Sequence, residues 1–301
     1  MILPKTDLSV SPVCLGTDIA GTSKNEDEFF ALLDRFAEGG GNFVDTANVY
    51  ARWLPHGENC SEQMLGRWLK SRRKPLVIAT KGGHPDLKTR RSRLTKEDLA
   101  WDIESSLSSL GVDALDLYYL HRDDPSQPVG AILELANEFV KEGKVRFLAA
   151  SNFSPARMKE AENYAETHGI MGFAALSNRC SLAKPNEIKN PTRDTMWACD
   201  GEEWAFHTET KLPLLPYGAT ARGYFQKRAE GRDVPQGYDN PANDAAFARL
   251  LRLSEETGES LATLSVTEFV KSAAFPLIPV AGVSCASHVD SLLAAIRILE
   301  E

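Results

Sequence analysis

Asp45, Tyr50, Lys81 and His121 share a placement in the chain, each at or just beyond the end of a short apolar run. The runs are Asn42-Phe-Val-Asp45, Leu76-Val-Ile-Ala-Thr80 before Lys81, and Leu115-Asp-Leu-Tyr-Tyr-Leu120 before His121. Tyr50 follows Asp45 by five residues. A tyrosine is a poor proton donor at neutral pH, because its reference pKa is about 10. A neighbouring lysine ammonium favours the phenolate and lowers that value, and an aspartate paired with the lysine fixes its place and charge. A histidine at the next run end orients a carbonyl oxygen or helps relay a proton. Such a set suits reduction of a ketone or aldehyde, in which the oxygen is protonated as hydride reaches the carbon. Singly, each residue has a structural reading: half of an ion pair, a surface aromatic, a satisfied core histidine. The chemistry gains weight because all of them fall on successive run ends.

The elements that must position these residues alternate along the chain. Apolar runs at 12–16, 42–45, 76–80, 115–120, 145–150, 173–176, 212–216 and 276–280 read as strands, each followed by helical pattern. Phe29, Leu32, Leu33 and Phe36 form one face of a helix over 25–38, stopped by Gly39-Gly40-Gly41. Ser61 reads as the N-cap of the next helix, Thr95 of a third, which ends at Gly111, and Ser154-Pro155 of another, which ends near Gly169. Eight strand–helix units in 301 residues, about 38 each, predict a closed barrel of parallel strands. An open doubly wound sheet is expected to carry a GxGxxG turn after a strand, and none occurs. The expectation is one (β/α)8 barrel domain over 1–301, with an N-terminal β-hairpin and loop insertions at its C-terminal face.

Charge and composition exclude several classes. Thirty-four basic and 42 acidic residues leave a net charge of −8, which disfavours a dedicated nucleic-acid binder. No apolar run approaches the roughly 18 residues of a membrane span, and the first residues lack a signal-peptide pattern, so a cytoplasmic location is expected. The five cysteines are scattered and never form CxxC, so neither a structural metal site nor a disulfide framework is expected.

The stretch Phe43-Val-Asp45-Thr-Ala-Asn-Val-Tyr50, continuing to Ser61-Glu62-Gln-Met-Leu65-Gly66, resembles the aldo-keto reductase signature. Ile78-Ala-Thr-Lys81, Asp116-Leu-Tyr-Tyr-Leu-His121 and Ala150-Ser-Asn-Phe-Ser154 are similar to the family's next motifs, in order. The resemblance implies a nicotinamide-linked oxidoreductase in which Tyr50 donates the proton, supported by Asp45, Lys81 and His121. It further implies that Ser151 and Asn152 hold the nicotinamide carboxamide and that Tyr217 stacks on the ring. Gly16, Thr17, Asp45, Gly218, Thr220, Gly282, Ser284 and His288 complete the cofactor face. Three positions depart from the family pattern. Ser177, followed by Asn178, stands where a glutamine is usual. The turn after the seventh strand reads Tyr217-Gly-Ala-Thr-Ala-Arg222-Gly223, whose Arg222 and backbone amides suit a pyrophosphate. Residues 282–291 carry no lysine or arginine, only His288, so NAD(H) stands beside the NADP(H) that the resemblance implies.

Loops after the strands supply the expected substrate pocket: Asp18, Trp53, the run Arg122-Asp123-Asp124, and an insert from 179 to 211 with Trp197 and Trp204. Adjacent carboxylates and a guanidinium suit several hydroxyls, so a sugar or sugar-derived ketone is the expected substrate class. The chain stops directly after its last helical pattern, so no C-terminal tail is expected over the pocket. Three other readings compete. An aldolase would use Lys81 as a Schiff-base nucleophile, but an Asp45 partner would keep that lysine charged. A nucleotide-sensing regulatory protein would retain the same residues. Alcohol oxidation would run the same chemistry in reverse.

Overall fold

Seven short parallel strands lie side by side: β1 (Cys14–Gly16), β2 (Phe43–Asp45), β3 (Val77–Gly82), β4 (Leu115–Leu120), β5 (Val145–Ser151), β6 (Leu176–Ser177) and β7 (Val280–Gly282). Their order is β6-β5-β4-β3-β2-β1-β7. The computed structural model describes residues 1–55, 57, 60–186, 199 and 201–301, so Trp197 lies outside the described residues. Between β6 and β7 runs the expected seventh strand at 213–216, which pairs through isolated bridges, Leu176 to Leu214 and Leu214 to Leu277. Leu215 N donates to Leu176 O at 2.8 Å, Leu214 N to Pro276 O at 2.9 Å, and Val280 N to Pro216 O at 2.9 Å. Pro213, Pro216, Pro276 and Pro279 lack amide protons, so no continuous ladder forms, although the chain closes the ring.

Side-chain parity confirms closure. One apolar cluster takes Cys14, Phe43, Ala79, Leu117 with Tyr119, Ala149, Ala174 with Ala175, Leu215, Ile278 and Val280, a contribution from every stave. It is the interior of a (β/α)8 barrel, filled by side chains rather than open. Leu3, Leu8 and Val10 join it and seal its lower end. The expected N-terminal hairpin forms as a short antiparallel pairing: Ile2 bridges Ser9, Leu3 N donates to Leu8 O at 2.9 Å and Val10 N to Met1 O at 2.8 Å, while Leu3 and Leu8 are buried. Residues of opposite parity, such as Leu15, Val44, Ile78, Tyr118 and Leu148, pack under the helices.

Those helices start and stop as the caps dictate. The helix α1 (Glu26–Glu38) opens with a capping box between Asn25 and Glu28, and α2 (Cys60–Arg72) follows β2. Next come α3 (Lys96–Leu110), capped by Thr95 and ended by Gly111 in the left-handed region, and α4 (Val129–Lys141). Ser154 caps α5 (Pro155–His168), and α6 (Gly201–Thr210) follows β6. After the seventh stave come α7 (Tyr224–Ala229), α8 (Pro241–Thr257) and α9 (Leu261–Lys271), and α10 (Ala286–Glu300) closes the chain. Ser61 departs from expectation. It lies inside α2, and its buried hydroxyl donates to Thr17 O at 3.0 Å and meets Thr46 Oγ1 at 3.0 Å, so it ties helix to barrel rather than capping. No described helix is long and apolar enough to cross a membrane.

Candidate active site

Strand parity delivers the site. Phe43, Ala79, Tyr119, Ala149, Ala175 and Leu215 point into the barrel. Two residues further, on the same face, stand Asp45, Lys81, His121, Ser151, Ser177 and Tyr217. Pairing of Asp45 with Ala79 and of Lys81 with Tyr119 sets their heights. The loop after β2 then keeps bonding to β3. Thr46 N donates to Ala79 O at 2.8 Å and Asn48 N to Lys81 O at 3.0 Å, before a turn in which Tyr50 N donates to Ala47 O. That extra pairing explains the five-residue spacing, because it carries Tyr50 back over Lys81.

Lys81 Nζ donates to Asp45 Oδ1 at 2.5 Å, to Thr46 O at 2.9 Å and to Tyr50 Oη at 3.4 Å. All three ammonium hydrogens have an acceptor, and both charged groups of the ion pair are almost fully buried. Burial works against the charged form, but Asp45 and Tyr50 outweigh it and hold Lys81 above the ordinary lysine value. A lysine whose charged form is favoured in this way is a poor Schiff-base nucleophile, which weighs against the aldolase reading. Burial pushes the Tyr50 phenol up to about 12, with Lys81 pulling the other way. His121 lies edge-on to Tyr50, ring centroids 6.3 Å apart, and to His84 at 4.9 Å. Burial, then the positive charges of Arg122, His84 and Lys81, hold His121 well below the usual histidine range. His84, lowered to about 4 by burial and by Arg122, was missed although it stands three residues after Lys81. Reading one turn past each strand end would have found it.

The expected cofactor residues separate into two groups. Asn152 adopts a left-handed backbone, φ 61°, held by its N–H donating to Asn178 Oδ1 at 2.7 Å. Its side chain accepts from Tyr217 Oη at 2.8 Å and donates to His121 O at 3.1 Å, so Asn152 and Tyr217 form one unit beside the lysine. Ser151 Oγ donates to Ser177 O at 3.0 Å. Ser177 Oγ and Asp45 Oδ2 are buried without a hydrogen-bond partner among the described residues. Unspent polar atoms at one barrel end are what a polar ligand would satisfy, and an amide-bearing nicotinamide fits that donor and acceptor set. Asn178 is unsuited to a ligand contact, because its amide is spent on Asn152 N, Phe153 O and Glu203 Oε2. Thr17 likewise spends its buried hydroxyl on Asp45 O and Ser61. Gly16 is buried in β1, whereas Gly218, Arg222 and Gly282 are exposed and Thr220 is half-buried. Ala221, Arg222 and Gly223 follow one another at positive φ, which turns the chain sharply into α7.

At the start of α10, Ser284 Oγ meets His288 Nδ1 at 3.2 Å. Burial, then Arg232 and Lys227, hold His288 below the ordinary histidine value. Lys227 and Arg232 of the preceding unit thus lie within electrostatic reach of His288, together with Glu230, to which Arg232 is paired at 2.5 Å. Nothing local in the sequence signals this.

Substrate-side expectations fare unevenly. Trp53 is 54% exposed on the loop after β2, whereas Trp204 packs edge-on against Phe275 at 4.9 Å and fastens α6 to the barrel. Asp18, exposed after β1, sits beside Gly282. Asp123 is gripped by Arg157 through two bonds of 2.9 Å. Asp124 accepts from Ser126 N, Ser126 Oγ and Gln127 Nε2. Both carboxylates thus take part in holding their own loop, Asp123 to Arg157 and Asp124 to Ser126 and Gln127. Arg122, with Nη1 on His121 O at 2.8 Å, stays at the mouth.

The family model for the Aldo/keto reductase family matches residues 12–300. The chain is 27% identical to norsolorinic acid reductase stcV of Emericella nidulans, over 99% of this chain and 77% of that one. It is 29% identical to an aryl-alcohol dehydrogenase of Pestalotiopsis microspora, over 75% and 58% of the two chains. The structure of a glycerol dehydrogenase from Gluconobacter oxydans superimposes with a TM-score of 0.75 at 23% identity, covering 97% of this chain and 88% of that one, a likeness of fold. With its motifs in order, its barrel closed and residues 12–300 matched, the chain belongs to the aldo/keto reductase family.

Proposed function

We propose that this oxidoreductase reduces aromatic aldehydes or ketones with NADPH, Tyr50 giving the proton to the carbonyl oxygen. The observation that carries the reading is the buried Lys81 ammonium, its hydrogens committed to Asp45, Thr46 O and Tyr50 Oη. With its value at about 12, the Tyr50 phenol rests protonated and ready to donate. Loss of its proton leaves a phenolate beside a fixed cation, which is where stabilisation has to appear for the step to be fast. Asp45 keeps that cation in place and neutralises it when the phenol is intact. Neutral His121 orients the carbonyl oxygen toward Tyr50 without adding another charge. Bound NADPH would supply the hydride. Ser151, Asn152 and Ser177 would hold its amide end, the ring of Tyr217 its flat face, Gly218, Thr220 and Arg222 its pyrophosphate, and Ser284, His288, Lys227 and Arg232 its far phosphate. Those last two cations favour NADPH over NADH.

Aromatic rather than sugar substrates are favoured because Asp123 and Asp124 are occupied, while rings of Tyr50, His84, His121 and Tyr217 surround the mouth. The names of two relatives, a reductase of norsolorinic acid and an aryl-alcohol dehydrogenase, point the same way. The test follows NADPH absorbance over a panel of aryl and sugar carbonyls. Tyr50→Phe is expected to lose about a hundredfold or more in kcat, as for removal of a general acid, with NADPH binding unchanged by fluorescence titration. Full turnover by that variant would dismiss Tyr50 as donor.

A further inference from the structure

Arg122 stands at the mouth in surroundings that suit a guanidinium poorly. It is half-buried, and among the described residues no carboxylate pairs with it. Among the described residues its one hydrogen bond runs from Nη1 to His121 O at 2.8 Å, which leaves most of its five donors without a partner there. The acids that follow it in sequence face elsewhere, Asp123 onto Arg157 and Asp124 onto Ser126 and Gln127. Asp18 belongs to the loop after β1, beside Gly282, whereas Arg122 follows β4, three strands away in the sheet order. Besides burial, the groups that act on Arg122 are the Tyr217 and Tyr50 phenols and the like charge of Arg90, and its own charge reaches both His84 and His121. A partly desolvated cation without a counter-ion is costly, and the cost is recovered when an anion arrives. The open fork of a guanidinium matches a carboxylate bidentately.

We propose that Arg122 determines specificity by gripping a carboxylate on the substrate, so that the reductase selects aryl carbonyls bearing an acid group. This rests on the reading of Tyr50 as the carbonyl's proton donor. Arg122 contributes binding and orientation, and the carboxylate keeps its charge throughout.

The experiment compares 3- and 4-carboxybenzaldehyde with benzaldehyde, with NADPH, in the wild-type protein, Arg122→Leu and Arg122→Lys. Wild type is expected to favour a carboxylated aldehyde by about tenfold to a hundredfold in kcat/KM, mainly through KM, the worth of a charged hydrogen bond. Arg122→Leu should abolish the preference and Arg122→Lys should restore part of it. Calorimetric titration with 3- and 4-(hydroxymethyl)benzoate against benzyl alcohol reads the same discrimination without turnover. If Arg122→Leu weakens NADPH binding instead and leaves aldehyde selectivity intact, the residue serves the cofactor and the proposal is overturned. Equal affinity of the wild type for acid and neutral probes overturns it too, even should the variants fail to fold. Selective binding of the benzoates with no reduction of any aldehyde would keep the anion site and sink the reductase reading.

Discussion

Glu62 offers the sharpest test of how the site is supported. Its side chain is fully buried on α2, where it accepts from Thr80 Oγ1 at 2.6 Å and Asn48 Nδ2 at 3.4 Å. Thr80 precedes Lys81, and Asn48 lies between Asp45 and Tyr50, so this one carboxyl touches both arms of the lysine site. Burial raises its pKa from 4.5 to about 7, even though Thr80, Ser106, Asn48 and the charge of Arg52 lower it. Asp102 and Tyr118 are also close, the latter affected by Glu62's charge. The native state therefore keeps a proton that the unfolded chain releases above about pH 4.5. Raising the pH favours unfolding by about 1.4 kcal/mol per unit until about pH 7, or about 3 kcal/mol in all. Glu62→Gln keeps the shape and the acceptor but cannot ionise. Urea unfolding of both proteins at pH 5, 6, 7 and 8 should show the wild type losing about 2.5 kcal/mol relative to the variant, the remainder being lost below pH 5, with little further change above pH 8. A difference that stays flat across that range, or that moves the other way, would refute the assignment of a buried, neutral Glu62.

Lys81→Met removes one half of the buried pair and strands Asp45, so urea unfolding should register a loss of about 3–5 kcal/mol, partly recovered by adding Asp45→Asn. A Lys81→Met variant as stable as the wild type would argue that the pair is solvated. Gly82→Ala would set a Cβ 1.9 Å from Tyr118 Oη and 2.9 Å from Asp102 Cβ. The expected cost is about 1–3 kcal/mol or more, as for overpacking, and Tyr118→Phe should relieve it in a double-mutant cycle. The Tyr118 hydroxyl has no hydrogen-bond partner among the described residues, so Tyr118→Phe alone should cost little.

Much of this was legible because period-two parity and helix caps are local. Asn25, Thr95 and Ser154 announce their helices, and the strand ends at Asp45, Lys81 and His121 fall where the apolar runs stop. Ser61 misled because a buried serine tying two elements and an exposed cap are the same letter in the same place. The apolar run at 212–216 marks the seventh stave, yet its prolines prevent the ladder that such a run suggests. Asp123 looked available since its partner, Arg157, lies in the next strand–helix unit. Lys227 and Arg232 were unreadable as companions of His288 for the same reason: tertiary proximity set by a whole helix-rich unit, without local spacing to betray it.

The stave at 213–216 has a dynamic consequence. It is joined to its neighbours by a handful of amide bonds, where β3 and β4 share a continuous ladder. Local opening takes the weakest cooperative route, so this is the seam along which the ring can breathe while the rest stays shut. Tyr217 and the turn through Arg222 ride directly on that stave. Hydrogen exchange is therefore expected to show the amides of Leu214 and Leu215 opening before those of β3 and β4.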